Sequence, residues 1–222
     1  MFGIDPLIGG TALILAGFGA PTCEPPKQTQ INIVPRTDPI KFDYSMTLDD
    51  MQSVQSDTIN PYDFHQSSKT QGFAKGAIKM QIKTKLGTIS YPRRGISCLY
   101  YDTIDVDIHI SPEISIASEV RKNACRHRAV MDHELKHVAV DREIVNDMSQ
   151  SLGIKLYEGL EARGFDSGMV QASRAQVIGQ RMIDTVSQIA EREQKRMELN
   201  RMDAQTAVDS REEYDAVSAK CR

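Results

Sequence analysis

The stretch Ile78-Lys79-Met80-Gln81-Ile82-Lys83-Thr84-Lys85-Leu86 sets an apolar or β-branched side chain at every second position and a charged or amide one between. Period two is the spacing of a strand with one buried and one wet face, because successive side chains of an extended chain point to opposite sides. Ile104-Asp105-Val106-Asp107-Ile108-His109-Ile110 repeats the pattern. Between the two lie Gly87-Thr88 and Tyr91-Pro92-Arg93-Arg94-Gly95, which read as breaks. Antiparallel sheets commonly keep one face in water, so an antiparallel sheet over about residues 71–111 is expected.

From Pro112 onward the period changes to that of a helix. Val130, His133, His137, Val140, Ile144 and Met148 recur at steps of three and four, the spacing of one helical face. Gly153 is a candidate break, and Arg163-Gly164-Phe165-Asp166-Ser167-Gly168 reads as a turn. A long helix is expected from about Met169 towards Ala207, with Ile178, Met182, Val186, Ile189, Met197 and Ala204 as its apolar stripe. Ser210 followed three residues later by Glu213 is a capping-box signature that starts a short last helix. Strands first and helices afterwards argue an α+β fold, an antiparallel sheet followed by the helix that carries His133 and His137 and then a long C-terminal helix, in a single domain over 41–222.

At 222 residues the chain can bury a core of its own. A net charge of −3, with Lys and Arg scattered along the sequence, gives no basic stripe and argues against a nucleic-acid partner. The apolar run Leu7 to Ala20, short for a membrane span and followed at once by Pro21-Thr22-Cys23-Glu24-Pro25-Pro26, has the profile of a signal peptide over 1–20. A buried N-terminal element is the competing reading, since no Lys or Arg precedes the run. Residues 21–40 read as a linker. Four cysteines, at 23, 98, 125 and 221, contain no C-x-x-C pair and read as two disulfides in a secreted or periplasmic protein. Three pairings are open; a Cys98–Cys125 bond would tie the sheet to the first long helix.

The chemistry concentrates in His133-Glu134-Leu135-Lys136-His137. On a helix, residues i and i+4 stand one turn apart on the same face, so both imidazoles can reach one ion. Glu134 is then placed to act as general base on a zinc-bound water, which is why these residue types come at this spacing. The competing reading is a helix with two packed histidines and a Glu–Lys surface pair. Lys136 speaks for that reading, because a charge inside such motifs is unusual.

The order of elements resembles an uncharacterised bacterial family described as predicted secreted zinc-dependent proteases. The matching pieces are Cys98, then Val106 to Pro112, then His133 to His137, then Met202-Asp203-Ala204-Gln205-Thr206. The resemblance covers about Lys41 to the end, with the specific match confined to His133, Glu134 and His137. It implies a zincin-like metallopeptidase acting on a protein or peptide substrate. A His that often follows two residues after that Thr is Val208 here.

The third zinc ligand is therefore open. Asp141 lies about 12 Å along the helix axis from His133, too far for one ion. Glu158 and Glu161 serve only if the chain turns back near Gly153. Glu193 is the preferred candidate, because a carboxylate inside the apolar stripe needs a partner and an antiparallel hairpin would bring it near His137. Its alternative is an edge residue whose stem covers apolar surface while its charge stays wet. A zinc-stabilised envelope or assembly protein that works through its long helix is the alternative to an enzyme.

Overall fold

The computed structural model describes residues 22–54 and 69–221. The signal-peptide expectation for 1–20, and His65, lie outside the described residues. Strands β1 (Gln30–Thr37), β2 (Lys41–Asp43), β3 (Gly72–Tyr91), β4 (Ile96–Ile116) and β5 (Val170–Gln171) form one sheet. Helices α1 (Leu48–Met51) and α2 (Ser118–Arg121) are single turns, α3 (Ala124–Glu161) and α4 (Ala175–Val208) are long, and α5 (Arg211–Ala219) is short.

The sheet corrects the expectation of an antiparallel α+β fold. β1 and β2 both run parallel to β4, and the strand path β1-β4-β2 is parallel throughout, as in α/β proteins. β3 and β5 pair with β4 antiparallel, which makes the sheet mixed. Alternation reports that one face is wet; it does not report strand direction. The parallel strands come from the region read as linker and from the start of the domain, where Pro and polar residues hide the pattern. β4 is the central strand. β3 lies along one side of it, while β5, β1 and β2 follow one another along the other, paired at Ile96–Ser97, Thr103–Ile110 and Glu113–Ser115.

Other boundaries move for local reasons. β3 continues through Gly87-Thr88, and the reversal falls at Pro92–Gly95, where Gly95 takes φ 62°. β4 runs past Pro112 to Ile116. Pro112 sits in the gap between the last rung to β1 at Ile110 and the first to β2 at Glu113, so its missing N–H removes no rung on that edge. At Asp102 the pairing with β3 slips by one residue, from Thr103 opposite Lys85 to Tyr101 opposite Leu86. This bulge explains why the inward set changes phase, from Leu99 and Tyr101 to Ile104, Val106, Ile108 and Ile110. Lys27 and Lys85 hold the bulged Asp102 at 2.6 and 3.2 Å.

α3 and α4 cover the apolar face as an antiparallel hairpin. Val145, Met148, Leu152, Leu156 and Leu160 from α3 meet Met182, Val186, Ile189, Ala190 and Met197 from α4 over the inward side chains of β4. α3 passes through Gly153 without a break, and its buried set takes Val138 and Val145 in place of the expected Val140 and Ile144. A second cluster, Met51, Ile114, Ile116, Val120, Val130 and Val138, packs the N-terminal end of α3 against the end of β4. The turn at Arg163–Gly168 is present, with Gly164 at φ 97° and Gly168 at φ 63°. Ser210 caps α5 by accepting from the Glu213 N–H.

All four cysteines are paired, Cys23 with Cys98 and Cys125 with Cys221, so the sheet is not tied to α3 through Cys98–Cys125. Two disulfides fit an oxidising compartment. Among the described residues no helix is long and apolar enough to cross a membrane.

Candidate metal centre

His133, Glu134, His137 and Asp141 lie on the side of α3 that faces the protein, and all four are buried. Helical periodicity alone puts His133 beside His137. What brings the helix down onto β3 is a pair of glycines. A Cβ on Gly72 would come 2.7 Å from Val130 and 3.1 Å from Glu134 Oε1, and one on Gly76 would come 2.3 Å from Asp141 Oδ2. Only glycine leaves room for the backbone of β3 to pass these carboxylates.

The third member of the group comes from beyond the end of α4. Nε2 of His133 and Nε2 of His137 each lie 3.2 Å from Oδ1 of Asp209, and the two imidazoles stand edge to face with centroids 5.0 Å apart. One ligand atom from each of the three residues lies within 4.8 Å of the other two, and all three are buried. The group could therefore hold a metal ion.

The protonation pattern tests that fit. Asp141 is a carboxylate gripped by Arg201 through Nε and Nη2 at 2.6 and 3.0 Å. Gln205 must turn its amide nitrogen towards that acceptor; Nε2 donates to Asp141 Oδ1 at 2.7 Å and to the backbone oxygen of His137 at 3.1 Å. Gln205 Oε1 is thereby left to accept from Nδ1–H of His137. In the neutral ring Nε2 then carries a lone pair, and it points at a carboxylate oxygen. Two acceptors 3.2 Å apart in a buried site repel unless a cation sits with them, either a second proton on the ring or a metal ion. The chain Arg201–Asp141–Gln205–His137 is the outer support that metal-bound imidazoles generally have.

The electrostatics agree. Burial disfavours the charged form of His137, but the hydrogen bonds and charges of Asp209, Gln205 and Glu134 outweigh it and the ring's pKa is raised. Burial pushes the Glu134 carboxyl up to about 7; His133, His137 and the backbone of Ala74 pull the other way, and Asp209 adds to the rise. Tyr214 donates to Asp209 Oδ1 at 3.1 Å and lays its ring 5.4 Å from that of His133.

Glu193, expected as third ligand, does not come to the pair. It is bound by Arg196 and lies 3.5 Å from Ser151 Oγ, in a groove between α3 and α4 lined by Ile144, Asp147 and Met148. The residue opposite His137 is Gln205, twelve positions farther along α4 than Glu193 and so about 18 Å away along its axis. Asp209 was missed because it follows the helix and reads as part of a cap; its one signal is that it is the nearest acidic residue to Val208, the position singled out by resemblance. Asp141 serves as an outer support, His109 pairs with Asp38 at 2.9 Å on the wet face, and His127 packs against Tyr44. No protein-family model, curated protein or solved structure matches the chain, so its chemistry rests on the geometry of these residues.

Proposed function

We propose that this chain is a zinc-dependent hydrolase, a metallopeptidase of the bacterial cell envelope, in which His133, His137 and Asp209 hold the ion and Glu134 is the general base. The observation that carries the reading is the convergence of both Nε2 atoms on Asp209 Oδ1, with the tautomer of His137 fixed by Gln205. Two imidazoles and one carboxylate are a donor set that suits zinc, and three protein ligands leave the open position of a catalytic site, whereas structural sites are closed by four. Bound there, zinc would bring a water's pKa down to about 7 and polarise a carbonyl.

The protein's own part in the chemistry falls to Glu134. It stands outside the His133–His137–Asp209 group, yet it follows His133 on the same buried face. In the metal-free protein burial raises this carboxyl to about 7, poised to exchange a proton at neutral pH, and a bound cation would draw it towards the carboxylate that a general base needs. Glu134 takes the proton from the attacking water and hands it to the departing amine. Asp141, Gln205 and Arg201 keep His137 in the orientation the ion requires. The disulfides support an exported location, secreted or periplasmic.

The test is metal content by mass spectrometry together with peptide hydrolysis. Wild type should carry about one zinc per chain, His133→Ala and Asp209→Asn should lose most of it, and Glu134→Gln should keep the zinc and lose hydrolysis. A wild-type protein without zinc after metal-replete purification refutes the metal; Glu134→Gln as active as wild type leaves a structural metal and refutes the enzyme.

A further inference from the structure

Lys136 is the oddity of the motif, a charge inside H-E-x-x-H that the metal reading has not used. Its ammonium lies 2.5 Å from Glu213 Oε1, on the first turn of α5. The same oxygen is 3.6 Å from Nδ1 of His133. That nitrogen is buried and has no hydrogen-bond partner among the described residues. His137, by contrast, has its Nδ1 matched to Gln205. Two imidazoles converge on one carboxylate, and only one has its outer nitrogen satisfied.

We propose that Glu213, tethered by Lys136, is the positioning residue of His133: its carboxylate accepts the Nδ1–H of that ring and so keeps Nε2 bare towards Asp209. The inference rests on the metal-centre reading. At 3.6 Å the contact is longer than a hydrogen bond, and a small rotation of the Glu213 side chain closes it. The Lys136 ammonium against the Glu213 carboxyl holds the acceptor on the His133 side of α5. Its place on α5 is fixed from two sides, by the Ser210 cap and by the Cys125–Cys221 bond just beyond the helix. In a full capping box Glu213 would fold back onto the N–H of Ser210; here it turns to Lys136 instead. A carboxylate behind a ligating imidazole fixes the tautomer and raises the basicity of the metal-facing nitrogen.

The test is zinc affinity and melting temperature measured side by side. Glu213→Ala should bind zinc on the order of 10- to 100-fold more weakly, and Glu212→Ala, on the exposed side of α5, should bind as wild type does. The exchange Lys136→Glu with Glu213→Lys restores the ion pair but puts an ammonium behind His133. It should recover the melting temperature lost in Glu213→Ala while zinc binding stays weak. If the exchange recovers affinity and melting temperature together, the pair is only a latch and the inference is wrong. Unchanged affinity in a folded Glu213→Ala overturns it too, with the metal reading left standing; a wild-type chain that takes up no zinc removes both.

Discussion

Replacing Glu134 by Gln in metal-free protein tests the burial that the proposed chemistry depends on. Glu134 is 4% exposed, and its carboxyl is raised from 4.5 to about 7. A folded-state value above the unfolded one means that the folded protein binds the proton more tightly. The contribution is therefore intact below about pH 4.5 and is lost as pH rises through 7. At about 1.4 kcal/mol per unit, the loss comes to about 3–4 kcal/mol. Gln has nearly the same shape and no charge, so it escapes this loss. Urea unfolding of both proteins between pH 4 and 8 should show the stability difference growing in favour of Glu134→Gln by about 3 kcal/mol, with titrating groups away from the site cancelling in the comparison. Saturating zinc should flatten most of the wild-type slope, since a cation nearby favours the carboxylate. A difference independent of pH would mean that Glu134 ionises as if in water, and the account of its poised proton would fail.

Asp209→Asn should weaken zinc binding far more than Glu193→Gln, which breaks the pair with Arg196 away from the group; equal losses in calorimetric titration would refute the choice of third ligand. Gly76→Ala would set a methyl 2.3 Å from Asp141 Oδ2, an oxygen already locked by Arg201, and should cost about 1–3 kcal/mol in thermal melts while loosening the support of His137. Removing the Cys125–Cys221 bond, which spans 96 residues, should lower stability by about 5 kcal/mol in denaturant titrations if chain entropy dominates.

What the sequence disclosed and what it hid follow from the range of each interaction. The histidine pair is legible because i and i+4 meet on any helix, whatever surrounds it. The strands at 78–86 and 104–110 are legible because alternation is local. Strand direction is not, since β1 lies in a Pro-bearing stretch with weak alternation and pairs with residues more than 70 positions away. Gln205 and Asp209 stayed hidden for a related reason. Their place opposite His137 and His133 depends on where both long helices begin and end, and α3 ignores Gly153 while α4 starts only at Ala175, after β5. Each boundary is a small error; together they move the facing residue by twelve positions. Glu193 answered a sound question, how a carboxylate survives in an apolar stripe, but its answer is Arg196 one turn away.

His133 and Asp209 are separated by 76 residues of chain, and this sets a schedule. During synthesis α3 is complete long before the carboxylate exists. Until residue 209 has been made and α4 has folded back, the chain carries two imidazoles and a glutamate with nothing to close the group. A half-made chain thus lacks one of the three residues that could together hold an ion. The same spacing ties the group to assembly, because a molecule whose two long helices dock out of register does not bring Asp209 to His133 and His137.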